Sequence, residues 1–488
     1  MKQQPLLPVP PVFDNSYARL PERFFSHQLP TPVAAPALIR VNKDLATQLG
    51  IDPAWLESAA GLAMLAGNTM PDGATPIATV YAGHQFGNWN PQLGDGRAVL
   101  LGELLDNQGQ RFDLQLKGSG PTVYSRGGDG RAPLGPVLRE YIVSEAMFAL
   151  GVPTTRSLAA VTTGEGVWRE TALPGGVLAR VARSHIRFGT FQFFAARKDI
   201  DGLKLLADHV IARHYPDAAN SDNPYLALLG GVISNVAALV SQWQQVGFIH
   251  GVMNTDNMLL SSETIDYGPC AFMDNFDPQQ VYSAIDQGAR YAYQSQPEIA
   301  HWNLMTLAQA LLPLIDADQE QAVTLARAAL DTFPTQFHAH HLAGMAAKLG
   351  LTAATADDET LVRDLLTLMT QEKLDYTLTF RHLSDPQEHS LLPTALQEWL
   401  VRWHARAALE AQPEASRYAQ MQQRNPLCIP RNHLLEAVIH TAQTTGDLGP
   451  FNELADVLAT PFDNIHRGTR FALPPRPEEL VEQTFCGT

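Results

Sequence analysis

The spacing of apolar and polar positions changes character along the chain, and the changes mark out its regions. Residues 1–75 are proline-rich and then helical, with Asn42-Lys-Asp-Leu-Ala-Thr-Gln-Leu-Gly50 reading as a short helix stopped by glycine. They predict an extension laid over the outside of the first lobe. From Ala78 to Lys117 the period shortens to two and glycine-rich turns separate β-prone runs: Ala78-Thr-Val-Tyr-Ala82, Gly94-Asp-Gly-Arg-Ala-Val-Leu-Leu-Gly102 and Phe112-Asp-Leu-Gln-Leu-Lys117. Alternation with that turn chemistry predicts antiparallel strands. A glycine-dense loop, Gly118 to Arg131, leads to a helix over 136–150 with Val137, Leu138, Tyr141 and Ile142 on its apolar face and Glu140 at the edge of that face. Strand-like runs return at 157–164, 167–170 and 176–183. Beyond Gly202 the period lengthens to helical, over 226–246 and 302–314 for example, interrupted by the β-prone stretches Met258-Leu-Leu260 and Cys270-Ala-Phe-Met273. After Asp316 the pattern is helical almost to the end, with proline breaks.

The expected fold class is therefore α+β in two lobes: a β-rich first lobe over 76–200, a mainly α second lobe over 201–330, the extension 1–75, and a C-terminal helical region and tail over 331–488. A chain of 488 residues is long enough for that division.

Composition narrows the partners. Lys and Arg number 34 against 50 Asp and Glu, a net charge of −16, which disfavours nucleic acid and anionic membranes. A polyanionic small ligand then needs a local basic pocket. The three cysteines, Cys270, Cys428 and Cys486, are too few and too scattered for a disulfide framework or a structural zinc site. No stretch reads as long enough to span a bilayer and the N-terminus lacks an export core, so a cytoplasmic protein, monomeric by default, is expected.

Candidate chemistry follows from order. A lysine ending a strand, then a glutamate on the next helix, is how kinase folds hold ATP phosphates, and Lys117 and Glu140 occupy those places. The pair alone is weak, since such residues occur in most proteins. Phe248-Ile-His250-Gly-Val-Met-Asn254-Thr-Asp256-Asn257 is more specific: kinase catalytic loops read His-x-Asp, four residues, then Asn, and His250 and Asn257 keep that spacing. The position of the usual base holds Val252, which accepts no proton, and a carboxylate stands instead at Asp256. Asp266-Tyr-Gly268 comes next, in the place of the kinase Asp-Phe-Gly, so Asn257 and Asp266 are oxygen ligands suited to Mg²⁺ or Mn²⁺. Arg180, Arg183 and Arg187 form a basic cluster fit for phosphate, with solvated surface arginines as the plain alternative. The Gly94-Asp-Gly-Arg97 and Gly128-Asp-Gly130 turns are either backbone cradles for phosphate or ordinary hairpin turns. His338, His340 and His341 lack the companions of a metal site. At this point phosphoryl transfer and a catalytically dead ATP-binding scaffold both stay open.

Through Tyr81-Ala-Gly-His-Gln-Phe-Gly87, Gln92-Leu-Gly-Asp-Gly-Arg97, Leu116-Lys-Gly118, Tyr124-Ser-Arg-Gly-Gly-Asp-Gly-Arg131 and His250-Gly-Val-Met-Asn-Thr-Asp-Asn257, the sequence resembles the selenoprotein O family over nearly its full length. The resemblance implies a kinase-like pseudokinase fold that binds ATP in a flipped orientation and transfers AMP to Ser, Thr or Tyr hydroxyls of proteins, itself among them, releasing pyrophosphate. It implies Lys117 on the phosphates held by Glu140, Arg180 and Arg187 around the buried end of the triphosphate, and Gly94, Gly96, Arg97, Asp129 and Gly130 lining the nucleotide site. It further implies Asp256 as proton acceptor, with Asn257 and Asp266 on the metal. Many relatives end in a paired redox motif, whereas this chain ends Cys486-Gly-Thr488, leaving a pairing of Cys486 with Cys270 or Cys428 open.

Overall fold

The computed structural model describes residues 10–485. Among these, strands β1 (Phe25–His27), β2 (Ala37–Val41), β3 (Ile77–Gln85), β4 (Asn88–Gly94), β5 (Ala98–Leu105), β6 (Arg111–Lys117), β7 (Ala132–Pro133), β8 (Arg156–Trp168) and β9 (Ala172–Ala182) form one antiparallel sheet. Its order is β1-β3-β5-β6-β9-β8-β2, with β4 on β3 and β7 on β9. The chain before residue 76 is thus more than a wrapping: it supplies both edges, β1 on β3 and β2 on β8.

Alternation decides what each face carries. On β6, Phe112, Leu114 and Leu116 point to one side, where they join Val177, Ala179 and Val181 of β9 and Leu45, Ala46, Met64 and Leu65 from the helices Lys43–Gln48 and Ala59–Leu65. Each fully buried leucine there is worth ~2 kcal/mol of transfer energy. The opposite side of β6 carries Asp113, Gln115 and Lys117, and β9 sets Arg180 directly across from Gln115. The helix Leu134–Ala149 crosses this polar side, burying Leu138, Tyr141 and Ile142.

The remainder is mostly helical. The helix Pro224–Gln245 begins at an Asn223 cap whose side chain accepts from the Leu226 N–H, with Pro224 fitting the first turn. At 22 residues it is, against the sequence expectation, long and apolar enough to cross a membrane by length and composition. Its Leu228, Leu229, Val232, Ile233 and Val236 are instead buried in the main core, which an apolar core helix of any large domain also achieves. Helices Phe333–Lys348, Ala356–Gln371, Tyr376–Leu383 and Gln397–Ala407 build a separate core around Trp399, Trp403 and Phe380.

The helix expected from 302 begins six residues earlier, at Gln296, and runs to Ile315. Met258-Leu-Leu260 forms no strand: it pairs with the short segment Ile186–Phe188 through a single Leu259–Arg187 bridge, flanked by the Phe188 N–H to the Met258 carbonyl and the Leu260 N–H to the Ile186 carbonyl, and the ladder goes no further. The ribbon in this region is β10 (Phe248–Ile249) with β11 (Ala271–Phe272), which brackets the candidate catalytic loop. Near the C-terminus Thr484 donates its N–H to the Tyr282 carbonyl (2.7 Å) and its hydroxyl to the Pro269 carbonyl (2.6 Å), tying the tail to the segment after Asp266. Cys270 and Cys428 are buried, while Cys486, and with it the question of its pairing, lies outside the described residues.

Candidate active site

A cavity of about 700 Å³ opens between the polar side of the sheet and the loop Val252–Asn257. Lys117, the last residue of β6, reaches into it and contacts Glu140 Oε2 at 2.5 Å and Asp266 Oδ1 at 2.8 Å. Arg180 on β9 contacts Glu140 Oε1 at 3.0 Å and Asp266 Oδ1 at 2.7 Å, and both its Nε and Nη2 donate to Gln115 Oε1. Arg187, at the start of the helix Phe188–Ala196, holds Asp266 Oδ2 at 2.9 Å, donates to the Asp256 carbonyl and stacks 4.9 Å from the centre of the Tyr81 ring. Three cations therefore converge on two carboxylates. Burial alone would raise both carboxyls, but Lys117 and the arginines hold Glu140 below, and Asp266 well below, the usual range. Asp266 occupies the left-handed region, φ +61°, which a non-glycine residue adopts only where its surroundings enforce it.

Asp256 differs from these. It is buried, its Oδ2 accepts from Gln85 Nε2 at 3.0 Å, and its Oδ1 has no hydrogen-bond partner. Burial pushes its carboxyl up from the ordinary value, against the pull of Arg187. The β3–β4 turn is fastened across this loop: the His84 N–H donates to Thr255 Oγ1 (2.7 Å) and the Phe86 N–H to Asn254 Oδ1 (3.0 Å). Only glycine fits at 83, where a Cβ would stand 2.8 Å from Asp256 Oδ1. His250 is buried, donates its Nε2–H to the Ile265 carbonyl (3.0 Å), and burial pushes its imidazole down to about 4. A neutral ring there fixes the loop through that hydrogen bond and the Val252 N–H that points at its Nδ1 (3.4 Å). Val252 lines the cavity, and Asn257 commits its amide nitrogen to the Val252 carbonyl at 3.0 Å, leaving its oxygen as the available ligand. Asp266, its two oxygens held by Lys117, Arg180 and Arg187, is the second hard oxygen group in the cavity, and a divalent ion would share it with those cations while taking its other ligands from phosphate and water.

The remaining predicted residues, Gly94, Gly96, Arg97, Asp129 and Gly130, line the same cavity. Asp129 stands at its rim, where Arg169 at 2.9 Å draws its carboxyl below the ordinary value. Gly130 has φ +63° and abuts the Gly120 carbonyl so closely that a side chain is excluded, so this turn is required by backbone packing as well. Arg183 is not brought to the site: it follows the end of β9, its side chain is exposed, and its N–H donates to Glu263. Sequence reasoning passed over Gln85, Gln115 and Arg169. Period-two alternation from Lys117 points to Gln115, and Gln85 lies inside the Tyr81–Gly87 motif. Nothing local signals Arg169, which meets Asp129 from a separate hairpin.

A family model described as protein adenylyltransferase SelO matches residues 11–459. The chain belongs to the SelO family. Proteins described as protein nucleotidyltransferase YdiU from Bradyrhizobium sp. (strain BTAi1 / ATCC BAA-1182) and from Rhodopseudomonas palustris (strain BisB5) are 59% and 57% identical to it. The matches run over 485 and 486 residues, 98% of this chain and 99% of each relative. As a SelO-family member the chain is an enzyme of the nucleotidyltransferase class, and adenylyl transfer takes ATP as its substrate.

Proposed function

We infer that this chain is a protein adenylyltransferase, moving AMP from ATP to Ser, Thr or Tyr hydroxyls of proteins on a protein-kinase-like bilobal frame with ATP flipped. The observation that carries this reading is the convergence of Lys117, Arg180 and Arg187 on Glu140 and Asp266, with Asp256 left holding an unpartnered carboxylate oxygen. Surplus positive charge at the buried end of the cavity suits the β- and γ-phosphates of ATP, which leaves the α-phosphate for the acceptor. Asp256 Oδ1 accepts the proton of the incoming hydroxyl, and a carboxyl raised by burial is better matched to that task than an ordinary one. The new bond joins the hydroxyl oxygen to the α-phosphorus; the bond to the bridging oxygen breaks, and pyrophosphate leaves with its electron pair. Lys117, fixed by Glu140, and the two arginines meet the charge that develops on the leaving group. Asn257 and Asp266 would hold Mg²⁺ or Mn²⁺, which when bound supplies further charge neutralisation at the phosphates.

The same reading takes 76–200 as the β-rich N-lobe, 201–330 as the mainly α C-lobe, 1–75 and 331–488 as extensions, and the protein as a cytoplasmic monomer acting on proteins, itself included. Incubation with ATP labelled separately at the α- and γ-phosphates tests it. Protein-bound α-label with no γ-label is the expected result. Retained γ-label would establish phosphoryl transfer instead, and no label at either position an inactive scaffold.

A further inference from the structure

The outer side of the β3–β4 turn carries side chains that nucleotide handling does not use. Trp89 on β4 is 40% exposed, its ring 4.9 Å from that of His84, and His84 lies edge-on to Trp302 at 5.3 Å. Met305, three residues further along the helix Gln296–Ile315, is also exposed. Over these rings sits Arg290, its guanidinium 4.8 Å from the centre of Trp302 and 5.8 Å from that of Tyr291. Its Nε is buried without a hydrogen-bond partner, and among the described residues no carboxylate pairs with it. Asp286, the nearest in sequence, gives its two oxygens to the backbone N–H groups of Arg290 and Tyr291. At the other end of β4, Arg197 lies 3.6 Å from the Phe193 ring and donates to the Pro91 carbonyl, the Phe193 carbonyl and Gln92 Oε1, again with no carboxylate.

This patch is continuous with the reacting centre. The Tyr291 hydroxyl donates to Asn254 Oδ1 at 2.8 Å, the same oxygen that receives the Phe86 N–H, and Gln85 of the same turn holds Asp256. Gly87, φ +81°, lets the turn lie flat against Arg290. A guanidinium partly stripped of water on aromatic faces and lacking a counter-ion is poised for a carboxylate from outside. The chain's net charge of −16 does not cancel that preference, since charges beyond about 8 Å are screened at physiological ionic strength.

The geometry points to Trp89, His84, Arg290, Trp302 and Met305 as the docking surface for the acceptor protein, whose segment carries Asp or Glu beside the target hydroxyl. This rests on the reading of Asp256 as the group that meets that hydroxyl. Two fluorescein-labelled peptides test it, identical except that a central Tyr is flanked by Glu in one and Lys in the other. Binding to the full chain is read by anisotropy, and AMP transfer separately with α-labelled ATP. The Glu-flanked peptide should bind at least tenfold more tightly. Arg290→Glu should abolish that preference and Trp89→Ala weaken binding about fivefold, with nucleotide affinity kept within twofold as the control for folding. Arg290→Lys, which keeps the charge but not the stacking fork, should fall between. Equal binding of the two peptides, or an undiminished preference in Arg290→Glu, overturns the proposal. Selective binding without AMP transfer upholds the docking surface while sinking the adenylyltransferase reading; equal transfer to both peptides with no binding preference does the reverse.

Discussion

One face of the sheet carries two buried charge clusters, built from the same strand and opposite in design. On β6, Asp113, Gln115 and Lys117 point the same way at successive alternate positions. At the Lys117 end three cations meet two carboxylates and the cluster opens into the cavity. At the Asp113 end the cluster is sealed. Asp113 pairs with Arg213 at 2.6 Å and His185 at 3.1 Å, and Glu103 accepts from Ser16, the Tyr17 N–H and Arg111. The side-chain types are shared. What separates a scaffold from a site is the access to a cavity and the charge left uncompensated within it.

Removing one carboxylate at each end should separate the two clusters most strongly. Asp256→Ala should lower AMP transfer by ~10³-fold, within the range for a proton acceptor, and shift the melting temperature little, because Asp256 has a free oxygen and only one side-chain hydrogen bond. Asp113→Ala should do the opposite, costing ~3–5 kcal/mol of stability by removing the closer of the two buried counter-charges of Arg213, which keeps only Glu103 at 3.5 Å, while the folded fraction keeps its turnover. Thermal melts beside transfer assays decide, and a large activity loss per folded molecule in Asp113→Ala would erase the distinction.

Lys117→Met should lower transfer by ~10²–10³-fold with stability unchanged or raised, since it relieves the crowding of three cations on two carboxylates. A marked fall in melting temperature would show that the open cluster is as structural as the sealed one.

Acid should separate the ends by stability. Burial pushes His209, near Arg213 and Asp113, down to about 4, so its ring stays neutral in the fold and protonates near 6.5 only in the unfolded chain. Between those values the unfolded state binds the extra proton, and stability falls as pH falls, by at most ~1.4 kcal/mol per pH unit for this group. His185 and His214, also lowered by burial, add to the slope. Urea unfolding between pH 7 and 5 should record the decline, and His209→Gln should make it shallower, leaving the share of His185 and His214. The smallest effect belongs to the cavity rim: Arg169→Ala loses a half-exposed pair with Asp129 worth ~0.2–1 kcal/mol, and is expected to raise the KM for ATP a few-fold without touching the melting temperature measurably.

Much of the candidate site was legible along the chain because it lies in short, rigid spacings. His250 to Asn257 is a single loop, Lys117 closes a strand whose alternation is plain, and Glu140 rides on a helix whose apolar face is regular. The arginines were legible only as a group. Arg180, Arg183 and Arg187 look alike in sequence, and Arg183 drops out because it follows the end of β9 and faces solvent, whereas β9 turns Arg180 inward against Gln115 and the turn after it delivers Arg187 to Asp266. Met258-Leu-Leu260 misled because β-prone residues make a strand only where the partner segment is long enough to extend the ladder, and Ile186–Phe188 gives a single bridge.

The sequence alone determined the order of the candidate site residues, a lysine, a glutamate, a displaced aspartate, an asparagine and a second aspartate, because backbone periodicity and motif spacing are local properties. Only the tertiary structure decided which charges are shared, which carboxylate oxygen stays unpaired, and that Gln85 and Arg290 flank the candidate catalytic loop. Those outcomes depend on strand register and on the exclusion of water, and both exist only once distant segments have closed on one another.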